Sequence, residues 1–338
     1  MLHTVRLTLM LACAALAPFA TAAPKGYAER ADVRAFIDEM AAVDKYDRAT
    51  LRRAFAQARF QRKIVEAMDR PLVEPPKWFE YAPRFLSDAR VQGGVAWWNA
   101  NAAALARAEE RYGVPAEIIV AIVGVESYYG RNTGSYRALD ALATLAFDYP
   151  RRSAFFRGEL RQFLLLAREQ HVPPLEFQGS YAGALGLPQF MPSSYRAYAV
   201  DFDGNGRIDL WESPADIAGS VASFLARHDW QRGQPVLLPA AVAEDGLPAL
   251  RGRLDGGISE RRVLDAWAAD GVAPAWSPAD LGADPVGVLL LEEQDADGNE
   301  GASYWIACQN FYVLTRYNRS RLYAAAVNEL ARAIKAAR

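Results

Sequence analysis

Apolar and charged residues recur along the N-terminal part of the chain at the spacing of an α-helix. Between residues 32 and 68 the apolar positions are Val33, Phe36, Ile37, Met40, Leu51, Phe55, Ile64 and Val65. This spacing predicts short amphipathic helices. Beyond them the pattern predicts helices at 90–112, 153–169, 215–228 and 311–334. Gly113 follows the first of these, in the position where glycine commonly ends a helix.

The pattern changes between residues 234 and 300. Short apolar runs at 236–238 and 286–291 alternate with Gly, Pro and Asp, which is typical of strands joined by turns. We therefore predict a mainly α protein in which several parts follow one another. These are an N-terminal helical region at 23–80, a core at 81–233, a small β-containing insertion at 234–300 and a C-terminal segment with a helix at 301–338.

The first 22 residues have the features of an export signal. Arg6 supplies positive charge, residues 7–17 are apolar, and Ala20 and Ala22 frame a small-residue cleavage site. A buried first helix is the alternative, but no polar face accompanies the apolar run. The sequence thus predicts a signal peptide at 1–22 and a periplasmic mature protein. No later stretch is long and apolar enough to span a bilayer.

The two cysteines allow a second interpretation of the N-terminus. Cys13 lies inside the signal and Cys308 stands alone after it, so no disulfide can form within the mature chain. Cys13 could instead carry a lipid and anchor the protein to the outer membrane. The residues before Cys13 fit a lipidation site poorly, so we expect outer-membrane association only if that modification occurs.

The charge balance and the histidine content exclude several classes of function. The 338 residues include 38 Lys and Arg against 40 Asp and Glu, so the chain lacks the basic excess typical of nucleic-acid binding. After the signal only His171 and His228 remain, too few for a three-histidine zinc site. A neutral polymer suits this composition better than a polyanion.

Glu126 ends the most apolar helical stretch of the chain. Pro115 suits a first turn, and residues 118–125 are apolar almost all round, so most of this helix should be buried. Glu126 shares a face with Ile122 and Val123, where loss of water would raise its carboxyl pKa. A carboxyl group protonated near neutral pH can donate a proton to a glycosidic oxygen. The alternative is a glutamate that reaches solvent at the helix end.

Residues 180–195, SYAGALGLPQFMPSSY, interleave small residues with hydroxyl and amide side chains. Gly183 and Gly186 permit close approach of the backbone to a ligand. The stretch is equally compatible with a tight loop before a helix capped by Ser193 or Ser194. Alone, it does not decide between a binding site and a structural turn.

Three motifs in this order resemble the family B lytic transglycosylases, murein-cleaving enzymes with a lysozyme-like core. The motifs are GVESYYG at 124–130, the stretch at 180–195, and NFYVLTRYN at 310–318. The resemblance extends over nearly the whole mature chain. It implies a mainly α fold with a lysozyme-like α+β catalytic core at 81–233, and peptidoglycan glycan strands as the partner.

The resemblance also implies roles for residues at matching positions. Glu126 would be the catalytic acid and base. The positions that would contact substrate are Ser180, Gln189, Tyr312, Tyr317 and Asn318. Tyr128 and Tyr181 also lie inside the motifs and could stack on sugar rings. Many relatives carry a tyrosine within 220–225, where this chain offers only Phe224, so that hydrogen bond would be absent or supplied elsewhere.

A single acid implies an intramolecular reaction. Most glycosidases use paired carboxylates, yet no second carboxylate accompanies Glu126 or the 180–195 stretch. In the family, one glutamate protonates the leaving oxygen and then activates the muramic acid O6 hydroxyl, which yields a 1,6-anhydro sugar. We expect this chemistry from a monomer without an organic cofactor. The alternatives are a hydrolytic muramidase and a non-catalytic glycan-binding protein.

Residues 201–212, DFDGNGRIDLWE, match the twelve-residue calcium loop of EF-hands, with Gly206 at the sharp turn. The predicted ligands are side-chain oxygens of Asp201, Asp203, Asn205, Asp209 and Glu212 and the carbonyl oxygen of Arg207. We expect a structural calcium ion, and a solvated acidic turn is the alternative. The similar run from Asp295 has Glu300 where the glycine should be, which predicts a plain turn.

Overall fold

The computed structural model describes residues 26–70, 75–275 and 284–338. The predicted signal peptide and Cys13 therefore lie outside the described residues. The described chain divides into two compact units, residues 26–57 and residues 58–338. The mainly α class predicted from the sequence is confirmed, because helices account for most elements of both units.

The first unit contains a short 3-10 helix at Tyr27–Glu29 and two α-helices, α1 (Ala31–Val43) and α2 (Arg48–Gln57). Their apolar faces meet where Phe36 packs edge-on against Phe55, with ring centroids 6.1 Å apart. An ion pair between Arg48 and Asp38 joins their polar faces at 2.9 Å. The amphipathic spacing in this part of the chain therefore does form helices.

The second unit contains the remaining helices. They are α3 (Arg62–Met68), α4 (Trp78–Tyr81), α5 (Asp88–Ala100), α6 (Ala102–Tyr112), α7 (Ala116–Ser127), α8 (Ala138–Asp148), α9 (Ser153–Glu169), α10 (Pro192–Tyr198), α11 (Pro214–Ala226), α12 (Leu247–Arg251), α13 (Leu264–Ala269), α14 (Gln309–Tyr317) and α15 (Arg321–Ala337). The helix α7 lies at the centre, packed against α5, α11 and α15.

Two predicted helices are each divided in the structure. The stretch 90–112 breaks at Asn101, whose side-chain amide donates to the Trp97 carbonyl at 2.8 Å. The stretch 311–334 breaks after Tyr317, because Asn318 is extended and Ser320 caps the start of α15. An asparagine or serine side chain that bonds nearby backbone competes with helical hydrogen bonds, which explains both breaks.

The strands of the described residues form two antiparallel sheets. The pair β1 (Tyr136–Arg137) and β2 (Gln178–Gly179) precedes the 180–195 stretch. The larger sheet has the order β4-β3-β6-β5, built from β3 (Leu237–Val242), β4 (Val272–Pro274), β5 (Gly287–Gln294) and β6 (Glu300–Ala307). It has its own core around Leu238, Trp267, Val288 and Ile306. The predicted insertion boundary at 300 differs, because β6 continues the sheet to Ala307.

No described helix combines the length and the apolar character that are needed to cross a lipid bilayer.

Candidate active site

Glu126 is the next-to-last residue of α7, and the chain turns sharply after it. Tyr128 and Tyr129 both have left-handed backbone, with φ of 52° and 57°. Left-handed backbone is uncommon for residues other than glycine, and two in a row store strain of the kind that clusters at functional sites. Ser127 stabilises the turn by accepting a hydrogen bond from the Gly130 amide at 3.1 Å. The helix therefore ends at Ser127, three residues before Gly130.

Gly124 makes room for Tyr129 beneath this turn. A Cβ at Gly124 would lie 2.6 Å from the Tyr129 hydroxyl oxygen, so a larger residue would displace the ring. That hydroxyl donates to the Arg90 carbonyl at 2.9 Å. The Arg90 guanidinium donates to the Gly124 carbonyl and lies 4.4 Å from the centroid of the Tyr128 ring. These contacts fix the turn that presents Glu126.

The Glu126 carboxyl is surrounded by tyrosines. Burial raises its pKa to about 7, and the nearby Tyr323 hydroxyl opposes part of that rise. The pKa values of Tyr81, Tyr317 and Tyr323 are raised by burial and by the negative charge of Glu126. No second carboxyl group among the described residues influences the Glu126 pKa. The site can therefore hold and release one proton near neutral pH.

Two of these tyrosines were not predicted as site residues. Tyr323 lies on the apolar stripe of α15, where its position is indistinguishable from that of a core residue. Its hydroxyl is buried without a hydrogen-bond partner of normal geometry among the described residues. Tyr81 lies in the one-turn helix α4, which is too short to give a periodic signal. Only the folded chain brings both to Glu126.

The 180–195 stretch forms a compact loop held by its own side chains. Ser180 Oγ accepts hydrogen bonds from the amides of Ala182 at 3.2 Å and Ala184 at 3.0 Å. Gln189 has a φ of 52°, and its Nε2 donates to the carbonyls of Thr133 at 3.1 Å and Gly186 at 2.8 Å. Ser180 and Gln189 therefore shape the loop itself, beside the turn that follows Glu126.

Tyr317 joins this loop to the tyrosines around Glu126. Its hydroxyl donates to the Pro188 carbonyl at 2.7 Å, and its ring lies 5.7 Å from Phe190 and 4.8 Å from Phe224 between centroids. Phe224 is buried and presents an apolar edge here. Tyr323 lies parallel to Tyr317 at 6.3 Å. Phe224 carries no hydroxyl, so the hydroxyl groups in this part of the site come from Tyr317 and Tyr323.

The remaining predicted contact residues have surroundings that differ from those of Tyr317. The Tyr312 hydroxyl packs against Gly287 of β5, where a Cβ would lie 2.1 Å away, and Arg261 lies 4.6 Å from its ring centroid. Tyr181 is exposed. Asn318 is exposed and accepts a hydrogen bond from the Ser320 amide at 3.1 Å. Of the predicted residues on the C-terminal segment, Tyr317 is the one whose pKa Glu126 influences.

The predicted calcium loop folds around Asp201. The Asp201 carboxylate accepts backbone hydrogen bonds from Gly204, Asn205 and Gly206 at 2.7 to 3.1 Å, and these lower its pKa. Asn205 Oδ1 accepts from the Arg207 amide at 2.9 Å. The loop thus has the tight turn at Gly206 that the sequence predicts.

The acidic cluster differs in membership from the predicted ligand set. Ligand oxygens of Asp201, Asp203 and Asp216 lie within 4.8 Å of one another. Asp216 is buried in the first turn of α11, beyond the twelve-residue loop, so the loop pattern could not reveal it. Asp209 instead accepts from the amides of Trp211 and Glu212, and Glu212 is exposed. Three carboxylates at this spacing fit a hard cation that prefers oxygen ligands.

The mainly α fold places one half-buried carboxyl group with a raised pKa among tyrosine hydroxyls, an arrangement suited to proton transfer by a single acid. The family model described as Transglycosylase SLT domain matches residues 28–332. The chain therefore belongs to this transglycosylase family, and the family predicted from the sequence is confirmed.

The relatives agree with this assignment. The membrane-bound lytic murein transglycosylase B of Escherichia coli (strain K12) is 41% identical over 321 residues, which cover 92% of this chain and 85% of that protein. The soluble lytic transglycosylase SltB1 from Pseudomonas aeruginosa is 47% identical, with a TM-score of 0.82 over 90% of this chain and 99% of that one. The Escherichia coli lytic transglycosylase Slt35, solved in complex with calcium, is 40% identical, with a TM-score of 0.81 over 92% and 95%.

Proposed function

We propose that this protein is a lytic transglycosylase that cleaves the β-1,4 bond between N-acetylmuramic acid and N-acetylglucosamine in peptidoglycan. The observation that carries the proposal is the single Glu126 carboxyl, whose pKa of about 7 suits both proton donation and proton removal. The family membership supports the substrate class. Purified protein should release soluble glycan fragments from isolated sacculi, and no release by folded protein would contradict the proposal.

Glu126 performs both proton transfers in this reaction. As an acid it protonates the glycosidic oxygen, so the bond to the muramic acid anomeric carbon breaks and N-acetylglucosamine leaves with a free hydroxyl. As a base it then removes the O6 proton, and O6 bonds to the same anomeric carbon to give a 1,6-anhydro ring. The nucleophile belongs to the same sugar, which gives it a high effective concentration. Glu126 ends the cycle protonated, as it began.

The tyrosines around Glu126 are suited to positioning this reaction. The hydroxyls of Tyr317 and Tyr323 stay protonated at neutral pH, because burial and the Glu126 charge raise their pKa values. The Tyr323 hydroxyl can therefore donate a hydrogen bond to the carboxylate or to the sugar without changing charge. The Tyr317 hydroxyl donates to the Pro188 carbonyl, so it can accept a hydrogen bond from the sugar. Phe190 and Phe224 cover the apolar side of the same cluster and exclude water from it.

The product distinguishes this function from hydrolysis by a muramidase. A hydrolase would bring in a water molecule, usually with a second carboxylate to activate it. The isolation of Glu126 from other carboxyl groups favours intramolecular attack by O6. A glycan-binding protein without activity is disfavoured, because a buried carboxyl with a raised pKa lowers stability and has no evident role in binding alone.

The acidic cluster supports a structural calcium ion. Asp201, Asp203 and Asp216 would hold it, and its charge would offset their mutual repulsion. The Slt35 relative solved with calcium makes this cation the first to test. The cluster has no contact with Glu126 among the described residues, so its contribution should be to stability.

Calcium should therefore raise the melting temperature of the wild type, and Asp201→Asn should abolish that response. Binding to the native state alone stabilises it by about 2.7 kcal/mol at a hundredfold excess over the dissociation constant. Differential scanning calorimetry with calcium and with chelator measures the shift. Asp295→Asn, in the plain acidic turn, is the matched control and should respond like wild type. An unchanged melting temperature on chelation of the wild type would contradict the site.

We also propose a periplasmic monomer. The export features of residues 1–22 support the location, and lipidation at Cys13 would attach the protein to a membrane. The relative named as membrane-bound makes such an anchor worth testing by the mass of the mature N-terminus. A chain that starts at Ala23 would support the unanchored form.

A further inference from the structure

One carboxylate outside the active site joins three elements of the fold. Glu292 lies on β5, and its Oε1 accepts a hydrogen bond from the Arg321 guanidinium at 2.6 Å. Its Oε2 accepts a hydrogen bond from the backbone amide of Trp78 at 3.3 Å. Arg321 is the first residue of α15, and Trp78 is the first residue of α4. The Glu292 carboxylate therefore ties the start of both helices to the sheet.

The Arg321 side chain is held on two further sides. Its Nη1 donates to the Leu290 carbonyl of β5 at 2.8 Å. A Cβ at Gly257 would lie 2.5 Å from the Arg321 Cζ, so the guanidinium packs directly on the Gly257 backbone. The side chains of Arg321 and Glu292 are only 16% and 27% exposed. A charge-assisted pair that is largely shielded and also bonded to backbone is held more firmly than an exposed pair.

Both helices that Glu292 holds carry a tyrosine close to Glu126. Tyr323 follows Arg321 by two residues, and Tyr81 is the last residue of α4. Burial raises the pKa values of both tyrosines, and the Glu126 charge raises them further. Tyr317 on α14 is affected in the same way. A displacement of the start of α4 or α15 would therefore move a ring that shields the Glu126 carboxyl from water.

Glu292 stays charged over the pH range in which Glu126 titrates. Burial alone would raise the Glu292 pKa, but the hydrogen bonds from Arg321 and from the Trp78 amide lower it below the ordinary glutamate value. Lys77, directly before α4, is a further positive charge that interacts with Glu292. A change in pH dependence after removal of the Glu292–Arg321 pair would therefore arise at Glu126, whose pKa is about 7.

We propose that the Glu292–Arg321 pair positions the tyrosines that limit the access of water to Glu126. The proposal rests on the proposed function, because Glu126 is the acid of that reaction. Burial is the largest cause of the raised Glu126 pKa, so looser tyrosines should admit water and lower that pKa. Loss of the Tyr323 hydroxyl would act in the opposite direction, but its effect is the smaller one.

The first test is the pH profile of Glu292→Gln on glycan strands from which the peptides have been removed. The amide keeps the shape of the side chain but loses the charge and one of the two acceptor oxygens. We expect the falling limb of kcat/KM to move to lower pH by about one unit, the usual size of an environmental shift. The kcat should fall by about tenfold to a hundredfold through misplacement of the reacting groups, while KM stays close to that of wild type.

Arg321→Gln tests the same pair from its other end. It should move the falling limb as Glu292→Gln does. The double variant Glu292→Gln/Arg321→Gln should show no larger shift than either single variant, because both residues act through one contact. Additive shifts in the double variant would contradict a shared role.

Glu300→Gln is the matched control. Glu300 on β6 pairs with Lys77 at 2.6 Å, so it also links the sheet to the start of α4, but both side chains are exposed. Exposed ion pairs contribute little, so the pH profile of Glu300→Gln should equal that of wild type. An equal shift in Glu300→Gln would show that any loosening of the sheet has this effect, and it would overturn the specific role of Glu292.

An open cavity of about 470 Å³ beside the pair makes a direct substrate contact the competing role. Its lining includes Tyr81, Gly257, Glu292 and Arg321. A direct contact would raise KM in Glu292→Gln and leave the falling limb in place, and this result would overturn the proposal. A lower melting temperature with an unchanged pH profile would overturn it as well, because the pair would then be structural only.

A second measurement does not depend on turnover. Glu126→Gln removes the carboxyl with the raised pKa, so the free energy of unfolding that it adds at pH 8 reports that pKa in the folded protein. We expect this gain to be smaller in the Glu292→Gln background than in wild type. An equal gain in both backgrounds would overturn the proposal. The proposed function would stand in that case, because it fails only if wild type releases no glycan fragments.

Discussion

Glu126→Gln should lower the rate of glycan cleavage by several orders of magnitude and leave the protein folded. The amide keeps the shape of the side chain, but it can neither donate nor take up the proton. General acid catalysis alone is worth about a hundred- to ten-thousandfold, and this residue performs both transfers. Release of soluble fragments from sacculi, measured with circular dichroism of the same sample, gives the comparison.

Glu117→Gln is the matched control for this substitution. Glu117 lies in the first turn of the same helix and pairs with Lys335 at 2.6 Å, far along α7 from the tyrosines. The Glu117→Gln protein should cleave sacculi at a rate close to that of wild type. Turnover of Glu126→Gln near the wild-type rate would contradict the assignment of the catalytic acid.

Activity should fall as pH rises through about 7, because the first step needs the protonated Glu126 carboxyl, whose pKa is about 7. Well above that pH, kcat/KM should drop by about tenfold for each pH unit, since the protonated fraction does so. Initial rates of cleavage of glycan strands from which the peptides have been removed, measured between pH 6 and 9, give the pH profile. A flat rate up to pH 9 would contradict a catalytic acid with a pKa of about 7.

The same raised pKa predicts that Glu126 lowers stability at high pH. Between the unfolded pKa near 4.5 and the folded value of about 7, the native state holds a proton that the unfolded chain releases, so the free energy of unfolding falls as pH rises. Glu126→Gln removes this cost and should be more stable than wild type by about 3 kcal/mol at pH 8. Near pH 4 the two should unfold alike. If the stabilities of Glu126→Gln and wild type differed by the same amount at pH 4 and at pH 8, the raised pKa of Glu126 would not be the cause.

The sequence predicts the parts of the site that follow from one local pattern. The apolar run of α7 indicates burial on nearly all sides, so Glu126 at its end stands out as a carboxyl group that loses part of its contact with water. The bounds of α9 are predicted correctly at Ser153 and Glu169, because its amphipathic face is regular. Such features depend on neighbours three and four residues away along the chain.

Other parts of the site depend on contacts between distant segments. Tyr323 follows the apolar stripe of α15, and only the packing of α15 on α7 places its hydroxyl beside Glu126. Asp216 belongs to a helix that starts after the acidic loop, so a twelve-residue pattern excludes it. Tyr312 matches a substrate-contact position by resemblance, yet its hydroxyl packs against the sheet. Spacing alone does not distinguish these positions.

The chemical form of the released ends tests the central claim most directly. Fragments from isolated sacculi are treated with borohydride and analysed by liquid chromatography and mass spectrometry. Intramolecular attack by O6 predicts muramic acid ends that are lighter by one water than hydrolysed ends and that borohydride leaves unchanged. Muramic acid ends that borohydride reduces would show that water is the nucleophile and would contradict the account.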